Sequence, residues 1–343
     1  MKNEKTIDYF LDLHIRDILK MCGQNLLNHL YLIRKRPYCR HIYEGSNLMI
    51  ISNGQVCCTC GDNRGSSNVG NIKERTLAEI FHGKEYTNLR NQFLMGKIPF
   101  PECIRCDGFR IMPYNFRPPE VAHFPKRVHL ETQAYCNLNC FSCHRSIIAN
   151  VRSNEMRMKS SLVERIVEEV VKSKEVKEFN LFGYGESFLD PRTVSIVEKV
   201  SEERPDIHTR ISTNGIPLPN MKLARRVVYS GLKKLVFSID GIDQTTYEKY
   251  QRGGKFNLAL KGLENVLVAR RDLNFQTPRV IWQYLLFRWN DQTNHIKKAR
   301  EIAEQLGVDE LDFQFTISPI TGISRRYFRF NRDPHVKKIS KSQ

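Results

Sequence analysis

The pattern of apolar and polar positions changes character near residue 127. From there, short strand-like runs alternate with longer runs whose apolar residues recur at helical spacing. "RVHLETQAY" (127–135) alternates apolar and polar residues, as a half-buried strand does. "SSLVERIVEEVVKS" (160–173) has the spacing of an amphipathic helix, with Ser160 or Ser161 as its N-cap. Further strands are predicted at 176–185, 207–215, 233–241, 279–288 and 310–318. Helices are predicted between them at 191–203, 220–231, 257–272 and 292–307, with Gly231 and Gly307 closing two of them. Strands joined through helices form a parallel sheet, because parallel neighbours need a crossover. The pattern therefore predicts an α/β fold, either a doubly wound sheet or a curved partial barrel. Both place ligands at the C-terminal ends of the strands.

Residues 39–110 read differently. They offer a short strand "NLMIIS", the turn Asn53-Gly54, a glycine- and serine-rich loop at 61–70 and one helix near 76–95. That is little apolar surface for an independent core, and a bound metal would supply the missing stabilisation. "RPPEVAHFP" (117–125) reads as a linker. The first twenty residues read as an amphipathic helix with Ile7, Phe10, Leu11, His14 and Ile15 on one face. They carry charges throughout and lack the apolar stretch of a signal peptide, so a cytoplasmic location is expected. No apolar run reaches the roughly eighteen residues of a membrane span.

Composition adds two points. The formal net charge is +17 over 343 residues, with basic concentrations at "RKRPYCR" from Arg34 and in the tail from Arg325. Such charge favours anionic partners without choosing among them, and a solvated basic surface with a disordered tail is the plainer reading. The ten cysteines fall at 22, 39, 57, 58, 60, 103, 106, 136, 140 and 143, and none follows. Without a secretory signal, clustered cysteines point to metal rather than disulfides.

Cys136, Cys140 and Cys143 lie on one loop after the first barrel strand. An iron–sulfur cubane takes four ligands, so three thiolates leave one iron open, as in a catalytic rather than a structural metal site. Zinc, with His144 as the fourth ligand, is the alternative.

In these residues the chain resembles the radical S-adenosylmethionine (SAM) enzymes, over roughly 127–318. Their signature C-x-x-x-C-x-x-C is matched by Cys136, Cys140 and Cys143. The resemblance implies a [4Fe–4S] cluster whose open iron binds SAM, and reductive cleavage to a 5′-deoxyadenosyl radical that abstracts hydrogen from a substrate. "GYGE" (Gly183–Glu186) is similar to the family's glycine–glycine–glutamate motif, which implies Gly183, Gly185 and Glu186 at the methionine amino group. "STNG" (Ser212–Gly215) and "SID" (Ser238–Asp240) look like family segments near the ribose and carboxylate, which implies Ser212, Asn214, Ser238 and Asp240. Arg252 in "YEKYQRGGKF" resembles an arginine that approaches the carboxylate. The residue before the third cysteine is usually aromatic in the family; here it is Ser142, with Phe141 one place earlier.

The cysteine-rich segment 39–107 resembles the SPASM domain, an auxiliary-cluster module that usually follows the barrel. Here it precedes it. The resemblance implies one auxiliary [4Fe–4S] cluster on Cys39, Cys60, Cys103 and Cys106, with Cys58 as runner-up to Cys60. A zinc ribbon is the alternative, and Cys22 reads as an ordinary buried thiol.

The resulting organisation is an N-terminal helical segment (1–38), a small cysteine-rich α+β auxiliary domain (39–116), a linker (117–126), a partial (β/α)6 barrel (127–318) and a basic tail (319–343). The expected partners are SAM, a one-electron reductant such as flavodoxin or ferredoxin, and a substrate that is a peptide first and an anionic small molecule or carbohydrate second. A zinc-stapled nucleic-acid-binding protein is the rival from another class, and it leaves Glu186 and the ordered strand-end motifs unexplained. No acid–base residue is singled out.

Overall fold

The computed structural model describes residues 35–59, 62, 65–145, 148, 152 and 154–327, and a strand at 339–340. The predicted N-terminal helix, Cys22, Cys60 and most of the basic tail lie outside the described residues. The chain divides into two compact units.

One unit holds the described residues up to Ala134 and those of Val151–Gly183. Its elements are β1 (Lys35–Cys39), α1 (Arg40–Glu44), β2 (Leu48–Ile50), β3 (Gln55–Cys57), β4 (Asn68–Asn71), α2 (Leu77–Phe81), α3 (Lys84–Leu94), β5 (Phe109–Pro113), β6 (Arg127–Leu130), α4 (Ser160–Lys172) and β7 (Glu178–Leu181). β6 and β7 pair in parallel, as the alternating pattern requires. β2 pairs in parallel with the other side of β6, Leu48 opposite Val128. β3 and β4 follow antiparallel, so the cysteine-rich segment continues the barrel's first strands as one sheet. β1 and β5 form a separate two-stranded ribbon. The helix predicted near 76–95 is two helices. Gly83 caps the second, and Thr76 caps the first in a reciprocal bond with Glu79. The predicted serine cap of α4 is not used: Lys159 holds the N-cap position without a side-chain bond. Val163, Ile166, Val167, Val170 and Val171 form the buried face of α4.

A buried ion pair fixes this unit. Glu131, just beyond β6, accepts Arg152 Nη1 at 2.7 Å and the Ser52 amide at 3.0 Å. Both charged side chains are shut off from solvent. Removing one partner would strand the other's charge in low dielectric.

The other unit holds Tyr135–Asn150 and the described residues from Tyr184 on. It contains α5 (Thr193–Glu203), β8 (His208–Thr213), α6 (Met221–Tyr229), β9 (Lys234–Ser238), α7 (Gln244–Glu248), α8 (Phe256–Asp272), β10 (Arg279–Leu286), α9 (Thr293–Leu306), β11 (Glu310–Phe315) and β12 (Ile339–Ser340). β8 to β11 pair in parallel in chain order. β9 and β10 carry short apolar runs, Leu235–Phe237 and Val280–Trp282, whereas β8 alternates buried and more exposed positions. Leu235, Val236, Phe237, Trp282, Tyr284 and Phe313 are buried. β12, inside the tail, adds antiparallel to β11. Gly307 closes α9 at φ 77°, as predicted. Each unit is thus built on parallel strands with covering helices, an α/β fold with no closed barrel among the described residues, in keeping with the partial barrel expected of the radical SAM type.

α8 lies close on the turn after β8. A Cβ at Gly262 would stand 2.0 Å from the Gly215 carbonyl oxygen. Helix propensity alone would make Gly262→Ala stabilising by about 1 kcal/mol. The packing predicts the opposite, a loss of about 1–3 kcal/mol, checked by urea unfolding of the variant.

Candidate functional site

The loop carrying Cys136, Cys140 and Cys143 is placed by backbone bonds. The Asn139 amide donates to the Arg252 carbonyl at 2.9 Å, and the Phe141 amide to the Tyr250 carbonyl at 2.8 Å. The segment after α7 thus runs alongside the cysteine loop. Arg252, predicted for the SAM carboxylate, stacks its guanidinium 4.1 Å from the centre of the Phe141 ring. Ser142 donates to the Ser318 carbonyl at 3.1 Å, which ties the loop to the segment following β11.

All three cysteines are half-buried. Burial pushes the Cys136 thiol up to about 11 and Cys140 well above the ordinary thiol range. Without metal Cys136 and Cys140 stay protonated at neutral pH. Three thiols on one short loop suit an iron–sulfur cluster, so the donor set fits the group that the resemblance implies.

The predicted strand-end residues gather around this loop. Glu186 is 3% exposed, and its amide donates to the Tyr135 carbonyl at 2.8 Å. Its carboxylate accepts from the Phe188 amide at 3.2 Å, Thr213 Oγ1 at 2.8 Å and the Asn214 amide at 2.7 Å. Burial raises its pKa, and these bonds oppose the rise. Glu186 is thus a tie between the cysteine loop and the end of β8. Asn214 extends the tie: its Nδ2 donates to Asn137 Oδ1 at 2.8 Å, beside Cys136. Ser212 is half-buried, and its carbonyl accepts Ser187 Oγ at 3.2 Å. Gly185 lies half-buried in the bend before Glu186. Gly183, in the other unit, is required by a neighbour: a Cβ there would stand 2.2 Å from a Glu131 carboxylate oxygen.

Asp240 is buried at the end of β9 and accepts the Leu285 amide at 2.7 Å. Burial pushes its carboxyl up to about 7. Its neighbours include two residues that sequence reasoning missed. Gln251 accepts the Asp240 amide at 2.7 Å and donates to the Ser238 carbonyl at 2.8 Å, clamping the "SID" segment. Asn290 donates to the Asp240 carbonyl at 3.0 Å and the Leu285 carbonyl at 2.9 Å. A glutamine in a polar loop and an asparagine after a strand carry no signal in sequence; their burial supplies it.

The other unit holds a second cysteine site. Cys39 ends β1, Cys58 follows β3, Cys103 lies within a 3-10 turn at Pro101–Arg105, and Cys106 caps the end of that turn. These four line one cavity together with His41. Burial pushes Cys39 and Cys103 up to about 12 and Cys58 well above its usual value. Four thiols converging on one cavity fit a closed cluster. Cys57 points elsewhere, into a core cluster with Met49 and Ile51. His41 joins the ends of the site. Its Nδ1 lies 2.7 Å from Ser46 Oγ and its Nε2 3.0 Å from Asp107 Oδ1, while the Arg40 amide donates to the Gly108 carbonyl at 2.8 Å.

Residues 130–275 match the radical SAM superfamily, and residues 39–107 match SPASM, an iron–sulfur cluster-binding domain. A probable GTP 3′,8-cyclase of Methanococcus maripaludis is 32% identical over 135 residues, 38% of this chain and 42% of the relative. An AdoMet-dependent heme synthase of Methanosarcina barkeri is 25% identical over 185 residues, 53% of this chain and 48% of the relative. The chain thus spans less than half the length of these two relatives. Methylornithine synthase, a solved structure, has a TM-score of 0.42 at 18% identity and covers 59% of this chain and 58% of its own. Residues 130–275 thus read as a radical SAM domain, and a SPASM domain precedes them in the chain. The first domain implies a [4Fe–4S] cluster and SAM, the second an auxiliary iron–sulfur cluster. No helix among the described residues is long and apolar enough to cross a membrane.

Asp240 yields a pH prediction. Its folded pKa of about 7 lies above the unfolded value, so the unfolded chain ionises first as pH rises. The site therefore costs stability progressively between about pH 4 and pH 7, at most about 1.4 kcal/mol per pH unit. Asp240→Asn removes that slope. In unfolding of the metal-free chain, the variant should gain on wild type across this window, and a constant difference would refute the assignment.

Proposed function

We propose that this chain is a radical SAM enzyme that abstracts hydrogen from an anionic small molecule, with a peptide as the second candidate. The observation that carries the reading is the three-thiol loop held against the ends of β8 and β9 by Glu186, Asn214 and the 250–252 segment. No cysteine follows 143, so that loop offers three thiolates and leaves a fourth position for SAM. The SPASM resemblance alone favours a peptide. The names of two relatives, a GTP cyclase and a heme synthase, favour a small molecule, and the net charge of +17 favours an anionic one.

In this reading Cys136, Cys140 and Cys143 hold the SAM cluster, and Cys39, Cys58, Cys103 and Cys106 hold the auxiliary one. The bound cluster supplies the electron that cleaves SAM and so the radical that takes hydrogen from the substrate. The chain's own residues orient and enclose. Gly185, Ser212, Asn214, Ser238 and Asp240 present the strand ends to SAM, with Gln251 and Glu186 fixing their backbones. Arg252, on the Phe141 ring, offers a cation for the methionine carboxylate. The electron comes from an acidic carrier such as flavodoxin or ferredoxin.

The test is anaerobic reconstitution, with iron and sulfide counted and SAM cleavage followed as 5′-deoxyadenosine. About eight irons per chain are expected, two cubanes. Cys140→Ala should keep about four and lose cleavage. Cys58→Ala should also keep about four, those of the SAM cluster. Zinc without iron, or eight irons without cleavage, would end the proposal.

A further inference from the structure

Buried tyrosines normally find a hydrogen-bond partner for their hydroxyl. Several here do so: Tyr43 donates to the Arg90 carbonyl at 3.2 Å, and Tyr284 to the Asn290 carbonyl at 3.4 Å. Among the described residues, Tyr86 and Tyr247 break the rule. Both are 0% exposed, and the hydroxyl of each is buried without a protein partner.

Each of these tyrosines belongs to an element that borders a cysteine site. Tyr247 sits on α7, next to the segment that runs along the cysteine loop. A Cβ built on Gly254 would lie 2.6 Å from its Oη and 2.9 Å from Leu138, which stands between Cys136 and Cys140. Among ionisable groups, Cys140 acts most strongly on this hydroxyl, followed by Asp240 and Cys136. Tyr86 sits on α3, three and seven residues before Leu89 and Phe93, on one helix face. Leu89 and Phe93 line the cavity of Cys39, Cys58, Cys103 and Cys106. For Tyr86 the strongest ionisable neighbour is Cys58.

A hydroxyl without a partner in a dry interior is costly, and the same sequence could have used phenylalanine at no loss of packing. Two such hydroxyls, one at each thiol site, share one explanation: the partner arrives with the metal. We propose that Tyr247 and Tyr86 each donate a hydrogen bond to a sulfur of the iron–sulfur cluster bound beside it. The proposal rests on the two-cluster reading above. It makes the tyrosines positioning residues that set the reduction potential of their clusters. A hydrogen bond to a cluster sulfur stabilises the more negative, reduced form, so each tyrosine holds its cluster at a higher potential than phenylalanine would.

The test uses Tyr247→Phe and Tyr86→Phe in the full chain, measured with and without iron. Without iron, both variants should melt at or above the wild-type temperature, because no protein hydrogen bond is lost. With both clusters reconstituted, redox titration followed by electron paramagnetic resonance should show a shift to lower potential. Tyr247→Phe should move the cluster whose signal responds to SAM and leave the other in place. Tyr86→Phe should do the converse. Full iron loading with both potentials unchanged would overturn the proposal while leaving the cluster reading intact. A lower melting temperature without iron would also overturn it, since the hydroxyl would then have a partner in the protein. A wild-type chain that takes up no iron would end the proposal and the cluster reading together.

Discussion

The bond between thiolate sulfur and metal is the interaction on which both sites depend, because the fold buries thiols where their neutral form is favoured. Cys39 and Cys103 are pushed up to about 12 and Cys136 to about 11, chiefly by desolvation. Arg145 opposes the rise at Cys136, but burial outweighs it. A metal reverses the rise by coordinating the thiolate directly, and each proton released makes loading dependent on pH. The same logic reaches the buried hydroxyls of Tyr86 and Tyr247, for which a cluster sulfur is the proposed partner.

The sulfurs are placed by backbone, and the backbone is placed by a few buried polar side chains. Glu186 joins three amide and hydroxyl donors from two parts of the chain, and Gln251 holds both sides of the "SID" segment. In low dielectric such fully met groups are strong, and losing one partner is expensive. This explains why the glutamate of a cofactor motif is spent on the protein's own donors. In the proposed function it acts through the strand end that it fixes.

Much of the fold was legible because parallel strands and their covering helices carry distinct apolar periods. The six strands and five intervening helices from 127 on appear where the pattern puts them, with strands shorter by a few residues at their ends. Less was legible upstream. β2 has three residues, and its parallel pairing with β6 spans about eighty residues of sequence, which no local signal records. The break at Gly83 was lost inside one apolar period. At the sites, spacing singles out the clustered cysteines; Cys58, the runner-up, lines a cavity with Cys39 and Cys103, while Cys60 lies outside the described residues. The family likeness implies Gly183 at the methionine amino group; the neighbour that the structure sets against it is Glu131. Gln251, Asn290 and the two hydroxyls are ordinary residue types whose meaning comes from burial.

The central claim is that the three-thiol loop leaves one iron open to SAM while the four-thiol site is closed. Mössbauer spectroscopy of the chain reconstituted with iron-57 tests it most directly. On adding SAM, one iron in about eight should change its isomer shift toward higher coordination, and the others should stay as they were. A spectrum that SAM leaves unchanged, with both clusters present, would contradict the account.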